Sequence, residues 1–235
     1  MPNRHIARAA VLAFLLSGGV YGQEDISSKL SKAISFERQG MIEEAVKLYE
    51  EIHREYPGDQ RVLVRLSNLY LLTQRYDELI RVCEDALKSE PGNPMTLKYL
   101  GQAYLSKGER KRGLEVAERI VELDPKKENS YRVAGSLLAS ANLFNEAASL
   151  YVSGRKAMEN DSLFARELAF AYQRNGEYER ATYELLLLLK SDPRQAIWVE
   201  REIRSMAKRG GSPEVMAALK GESKKREAPP ELHRI

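Results

Sequence analysis

Few residues in this chain have the types and spacing that chemistry needs. Three histidines, one of them His5 near the start, and a single cysteine, Cys83, leave no set of side chains for a histidine- or cysteine-based metal centre. There is no His-Glu-x-x-His pair and no glycine-rich phosphate loop; Gly18-Gly19 sits in an apolar leader and Gly210-Gly211 reads as a turn. His53 stands beside Glu51 and Arg54 and is predicted to be a solvated surface residue. Acid pairs such as Glu43-Glu44 and Glu50-Glu51 read as the wet faces of amphipathic helices. The predicted catalytic, cofactor and metal sites are therefore none, and the chain reads as a non-enzyme. What is left is charge at regular spacing. Lys98, Arg132 and Arg166 stand 34 residues apart, and ammonium and guanidinium groups suit carboxylates and acidic side chains. In a chain with 37 basic residues such a row can also arise by chance.

Bulk composition narrows the partner class. The 235 residues are 43% hydrophobic and 30% charged, the mix of a folded chain. Lys plus Arg number 37 against 34 Asp plus Glu, a net charge of +3, too balanced for a chain built to coat nucleic acid. One cysteine excludes an internal disulfide framework.

Residues 1–22 carry Arg4 and Arg8, no acid, an apolar run over residues 9–16 and small residues on either side of Tyr21. That pattern predicts a signal peptide cleaved after Gly22 and a periplasmic or secreted mature chain from Gln23. An uncleaved anchor is the other reading, but the run falls well short of the ~20 residues a spanning helix needs. No later segment is long and apolar enough to span a bilayer; Leu185 to Leu189 are hemmed in by Glu184 and Lys190.

The remainder repeats. Pro57, Pro91 and Pro125 are 34 apart, and Pro193 lies 68 further on. Ala33, Ser67, Gly101, Gly135 and Ala169 form a column of small residues in the same phase; Phe36, Tyr70, Tyr104, Leu138 and Tyr172 form a large one. Gly40, Gly108, Asn142 and Gly176 fall in a turn column, with Gln74 the departure. Fixed-period self-similarity marks a solenoid. Each unit reads as helix, turn, helix: Leu97, Leu100, Gly101 and Tyr104 share one helical face, Gly108 breaks the helix, and Leu114, Ala117 and Ile120 line the inner face of a second one. A small residue opposite a tyrosine lets two helices approach closely. Cys83 falls in the packing column of Tyr49, Ala117, Tyr151 and Leu185, so it is predicted to be buried.

Leu97, Leu100-Gly101, Tyr104 and Pro125 resemble the tetratricopeptide repeat signature, as do Leu168-Ala169, Tyr172, Ala181 and Pro193. The resemblance implies an all-α, right-handed superhelical solenoid of helix-turn-helix repeats. Five units are counted over residues 26–195, with a degenerate sixth over 196–220 in which Ile197, Ile203 and Met206 are predicted to face inward. Residues 221–235 read as a charged flexible tail or as the start of a truncated repeat. In this family the first helix of each unit lines a concave face that binds peptides or partner helices. Mapped onto this chain, that face implies a partner-binding groove of Asn68, Lys98, Gln102, Arg132, Ser136, Arg166, Phe170 and Arg174. The expected function is a non-enzymatic scaffold or adaptor for another protein or peptide, acidic ones included, with no nucleic-acid partner. The alternative is a repeat-region fragment of a longer envelope protein, or an accessory subunit of an enzyme complex.

Overall fold

The computed structural model describes residues 25–223, and among them there are helices and no strand. The predicted signal peptide lies outside the described residues, as does the tail beyond residue 223. The described chain divides between Thr73 and Gln74 into two compact units. The first holds α1 (Ile26–Arg38), α2 (Ile42–Glu55) and α3 (Gln60–Leu72). The second holds α4 (Tyr76–Ser89), α5 (Pro94–Ser106), α6 (Arg110–Glu122), α7 (Glu128–Ser140), α8 (Phe144–Ala157), α9 (Ala165–Arg174), α10 (Tyr178–Ser191), α11 (Ala196–Met206) and α12 (Ser212–Ser223). Consecutive helices pack as antiparallel hairpins, α1 on α2, α5 on α6, α7 on α8 and α9 on α10, so the fold is the expected all-α stack of helix-turn-helix repeats.

One backbone device closes the hairpins. Gly40, Gly108 and Gly176 have φ of +75°, +83° and +78°, and Asn142 has +59°. The next residue donates its N–H back to the large column: Met41 to Phe36 O, Glu109 to Tyr104 O, Leu143 to Leu138 O and Glu177 to Tyr172 O, all at 2.9–3.0 Å. This bond satisfies a carbonyl that the helix end would leave orphaned. Gln74, the departure from the sequence column, adopts the same conformation at φ +59°. Gly210, 34 residues after Gly176, has φ +102°, so the turn between α11 and α12 keeps the repeat phase.

Helix starts are capped locally. Asn93 accepts from Thr96 N–H at 2.9 Å ahead of Pro94, and Asp59 accepts from Arg61 N–H at 2.9 Å. Asp192 is held to about 2 by hydrogen bonds from Arg194 and Gln195.

The small column is buried, and its glycines are needed for space. A Cβ on Gly101 would lie 2.5 Å from Leu137, and one on Gly135 would lie 2.3 Å from Cζ of Tyr151. Tyr104 and Tyr172 each carry an arginine eight residues on, Arg112 and Arg180, 3.9 Å over the ring and bonded to the hydroxyl at 2.6 Å. Cys83 is buried, as its column predicts.

Two predicted orientations are corrected. His53 is buried, 5% exposed, rather than on the surface. Its column mates Leu87 and Leu189 are buried too, so it lies on the inward line of α2. Ile197 is 85% exposed rather than inward; Val199, Ile203 and Met206, at helical spacing, form the buried face of α11 instead. A short turn at residues 193–195 leads into this helix.

The fifth repeat opens irregularly where the terminal proline column reads Glu159. Glu159 and Phe164 take φ of +51° and +58°, and Phe164 is buried between Tyr131 and Tyr151 at centroid distances of 6.1 and 5.2 Å. Gly154 makes room, since a Cβ there would sit 2.6 Å from the Phe164 ring. Arg155 ties the segment down. Its Nε donates to Leu163 O at 2.5 Å, and its two terminal nitrogens donate to both oxygens of the buried Glu184 at 2.9 and 2.5 Å.

Two outcomes follow from this packing. Gly135→Leu drives a side chain into the Tyr151 ring, so thermal denaturation should show a loss of about 1–3 kcal/mol or more, whereas Gly221→Leu, with nothing within 4 Å of its Cβ, should melt like the parent. Burial pushes the Glu184 pKa up, and Arg155 opposes that shift. A raised folded pKa gives stability that is full below the unfolded value of about 4.3 and declines as pH rises through the folded value. Arg155→Leu removes the opposing charge, so it should cost about 3–5 kcal/mol near neutral pH and clearly less near pH 5. Adding Glu184→Gln should flatten that pH dependence in denaturant titrations.

Candidate functional site

The first helices of the last three repeats, α7, α9 and α11, line a cleft of about 520 Å³ in the second unit. Three residues of the predicted row meet in it: Ser136 from α7, and Arg166 and Phe170 from α9. Trp198, Glu202 and Met206 of α11 form the opposite wall, and Tyr151 reaches the floor from α8. Tyr151 gets there because Gly135 has no side chain in its path. Burial, reinforced by Glu167, pushes the Tyr151 hydroxyl pKa far up, so it stays protonated.

The arginines of the row are not equivalent. Arg132 donates to Glu128 at 2.6 and 2.8 Å and to Glu167 on α9, and lies 5.4 Å over the Phe164 ring. Its charge is met within the chain. Arg166 donates to the neutral Oε1 of Gln195 at 2.7 Å and stacks 4.3 Å over Trp198. An aromatic face and an amide orient a guanidinium without cancelling its charge. Arg174 lies 5.2 Å over Phe144, which meets Phe170 edge-on at 5.9 Å. Phe170 remains 49% exposed.

Lys98 and Gln102 lie half-buried on α5 and do not line the cleft, and Asn68 is exposed on α3 of the first unit. Sequence reasoning missed Glu167 and Glu202. Glu202 carried a signal: it occupies the column of Leu66, Leu100, Ala134 and Leu168, where a carboxylate is out of place unless it meets solvent or a ligand.

The cleft can seat an apolar side chain between Phe170 and Trp198 with charged donors at its edge. Among the described residues no group of three His, Cys, Asp or Glu side chains is placed to hold a metal ion. No described helix is long and apolar enough to cross a membrane.

The family described as Psidin, N-terminal TPR repeats region, matches residues 23–134. A tetratricopeptide repeat protein from Parabacteroides merdae ATCC 43184 has the same fold, with a TM-score of 0.52 at 16% identity over 88% of this chain and 82% of that one. This chain has the tetratricopeptide repeat fold. The thermophilic repeat protein TTC0263 of Thermus thermophilus is also similar, with a TM-score of 0.48 at 16% identity over 77% of this chain and 98% of that one. A UPF0162 protein of Xylella fastidiosa (strain Temecula1 / ATCC 700964) is 34% identical over 82 residues, 35% of this chain; the match spans 29% of that protein's length. Tetratricopeptide repeats generally form non-enzymatic protein-interaction scaffolds.

Proposed function

We propose that this tetratricopeptide repeat protein is an exported scaffold that holds a partner protein or peptide in the cleft of its last three repeats. The observation that carries this reading is the placement of Arg166 beside Phe170 and Trp198, an uncancelled cation next to an exposed apolar surface. The matching occupant presents an apolar side chain with a carboxylate next to it. Arg132, already held by two acids, orders the wall rather than contacting the partner. Lys98, Gln102 and Arg174 extend the polar character of the first-helix face, and Asn68 on α3 belongs to the same sequence row. The near-balanced charge favours protein over nucleic acid. Export rests on Arg4, Arg8 and the apolar run of residues 9–16, with cleavage after Gly22 delivering the chain to the periplasm or beyond.

The test is affinity capture from cell-envelope extracts with chain recovered from the exported fraction, whose first residue should be Gln23. The parent should capture a partner in a salt-sensitive way. Arg166→Glu and Phe170→Ala should each lose it with unchanged far-UV dichroism, because both side chains are exposed. Undiminished capture by both variants would refute the cleft as the binding site.

A further inference from the structure

Two surfaces of the second unit, separate from the cleft, are complementary to each other. The first is a knob on α11. Ile197 is 85% exposed. Arg201, Arg204 and Lys208 follow it at helical spacing and line a shallow surface hollow beside the Ile197 side chain, with Glu200 between them bonded to Arg204 at 2.9 Å. Arg201 lies 3.6 Å from Glu202, and Lys208 is exposed. The second is a groove of about 570 Å³ between the second helices α6 and α8. Leu114, Val121, Leu138 and Leu150 line it with apolar surface. Glu118 and Glu122 stand exposed on successive turns of α6 along one rim; Glu146 on α8 is bonded to Arg110. No residue of the knob or the groove lines the cleft.

The Ile197 side chain stands open to water beside Arg201, Arg204 and Lys208, and an apolar groove edged by carboxylates is its counterpart in polarity and charge. Every copy of the chain carries both. We propose that the groove is occupied by the α11 knob of a second copy, with Ile197 inserted between α6 and α8 and with Arg201 and Lys208 against Glu118 and Glu122. The two surfaces are different, so the contact is heterologous: a bound pair still presents one free knob and one free groove, and association continues head to tail. The apolar insertion holds the contact, and the rim charges fix its orientation and make it sensitive to salt.

Light scattering on size-exclusion fractions of the full chain tests this. At low salt the mass should rise with concentration past that of a dimer, and should fall back toward the single chain as salt is raised. Ile197→Asp blunts the knob, and the double variant Glu118→Lys with Glu122→Lys reverses the groove rim; all three positions are exposed, so both proteins should melt like the parent. Each variant alone should be monomeric. Mixed in equal amounts they should form a discrete one-to-one dimer and nothing larger, because one intact knob then meets one intact groove. Arg201→Glu with Lys208→Glu provides a second blunted knob, which should pair with the lysine-rimmed groove by reversed charge. A parent that stays monomeric at every concentration would overturn the proposal. So would variants that still self-associate alone, or a mixture that remains monomeric.

Discussion

The close approach of paired helices at one small residue per repeat is the constraint on which the rest of this protein depends. At Gly135 the consequence reaches the cleft directly. The missing side chain lets Tyr151 of α8 pass beneath α7 to the cleft floor. A larger residue there would push apart the two helices and remove the floor together. The same economy of space operates at Gly154, where the absent side chain admits Phe164 and so fixes where α9 begins. The position of Arg166 and Phe170 on α9 therefore descends from glycines that do not themselves line the cleft.

Electrostatics then sorts a row that looks uniform. Arg132 and Arg166 occupy equivalent places in adjacent repeats, yet one faces two carboxylates and the other a neutral amide and an indole. The difference comes from the next helix along: α9 supplies Glu167 to Arg132, whereas the segment entering α11 supplies Gln195 and Trp198 to Arg166. Because the last repeat is divergent, its neighbour keeps an uncompensated charge. Divergence at the end of a repeat array is thus where a binding specificity can arise without disturbing the stack.

Much of the fold was legible because the constraints recur. Burial at Ala33, Ser67, Gly101, Gly135 and Ala169, and the left-handed turns at Gly40, Gly108, Asn142 and Gly176, follow from residue type and period alone. Gln74 adopts the same left-handed conformation, although its residue type gives no hint. The column also carried information about His53: two of its neighbours in phase, Leu87 and Leu189, are buried, whereas a reading from adjacent Glu51 and Arg54 put it on the surface. Where the period loosens, sequence reasoning loses its grip. Ile197 and Val199 are both large and apolar, and it is Val199 that shares a helical face with Ile203 and Met206 and is buried. The cleft was half legible. Ser136, Arg166 and Phe170 stand out by period, whereas Trp198 and the ion pairs that neutralise Arg132 depend on how neighbouring repeats meet.

Phe170 on α9 and Tyr183 on α10 are each 49% exposed, one on the first-helix face and one on a second helix. Replacing each in turn with a photo-crosslinking benzoylphenylalanine compares the two faces at equal accessibility. If the α7–α9–α11 cleft is the binding surface, irradiation in cells should join the partner to the chain from position 170 and not from position 183. Crosslinking from position 183 alone, or equally from both, would contradict it.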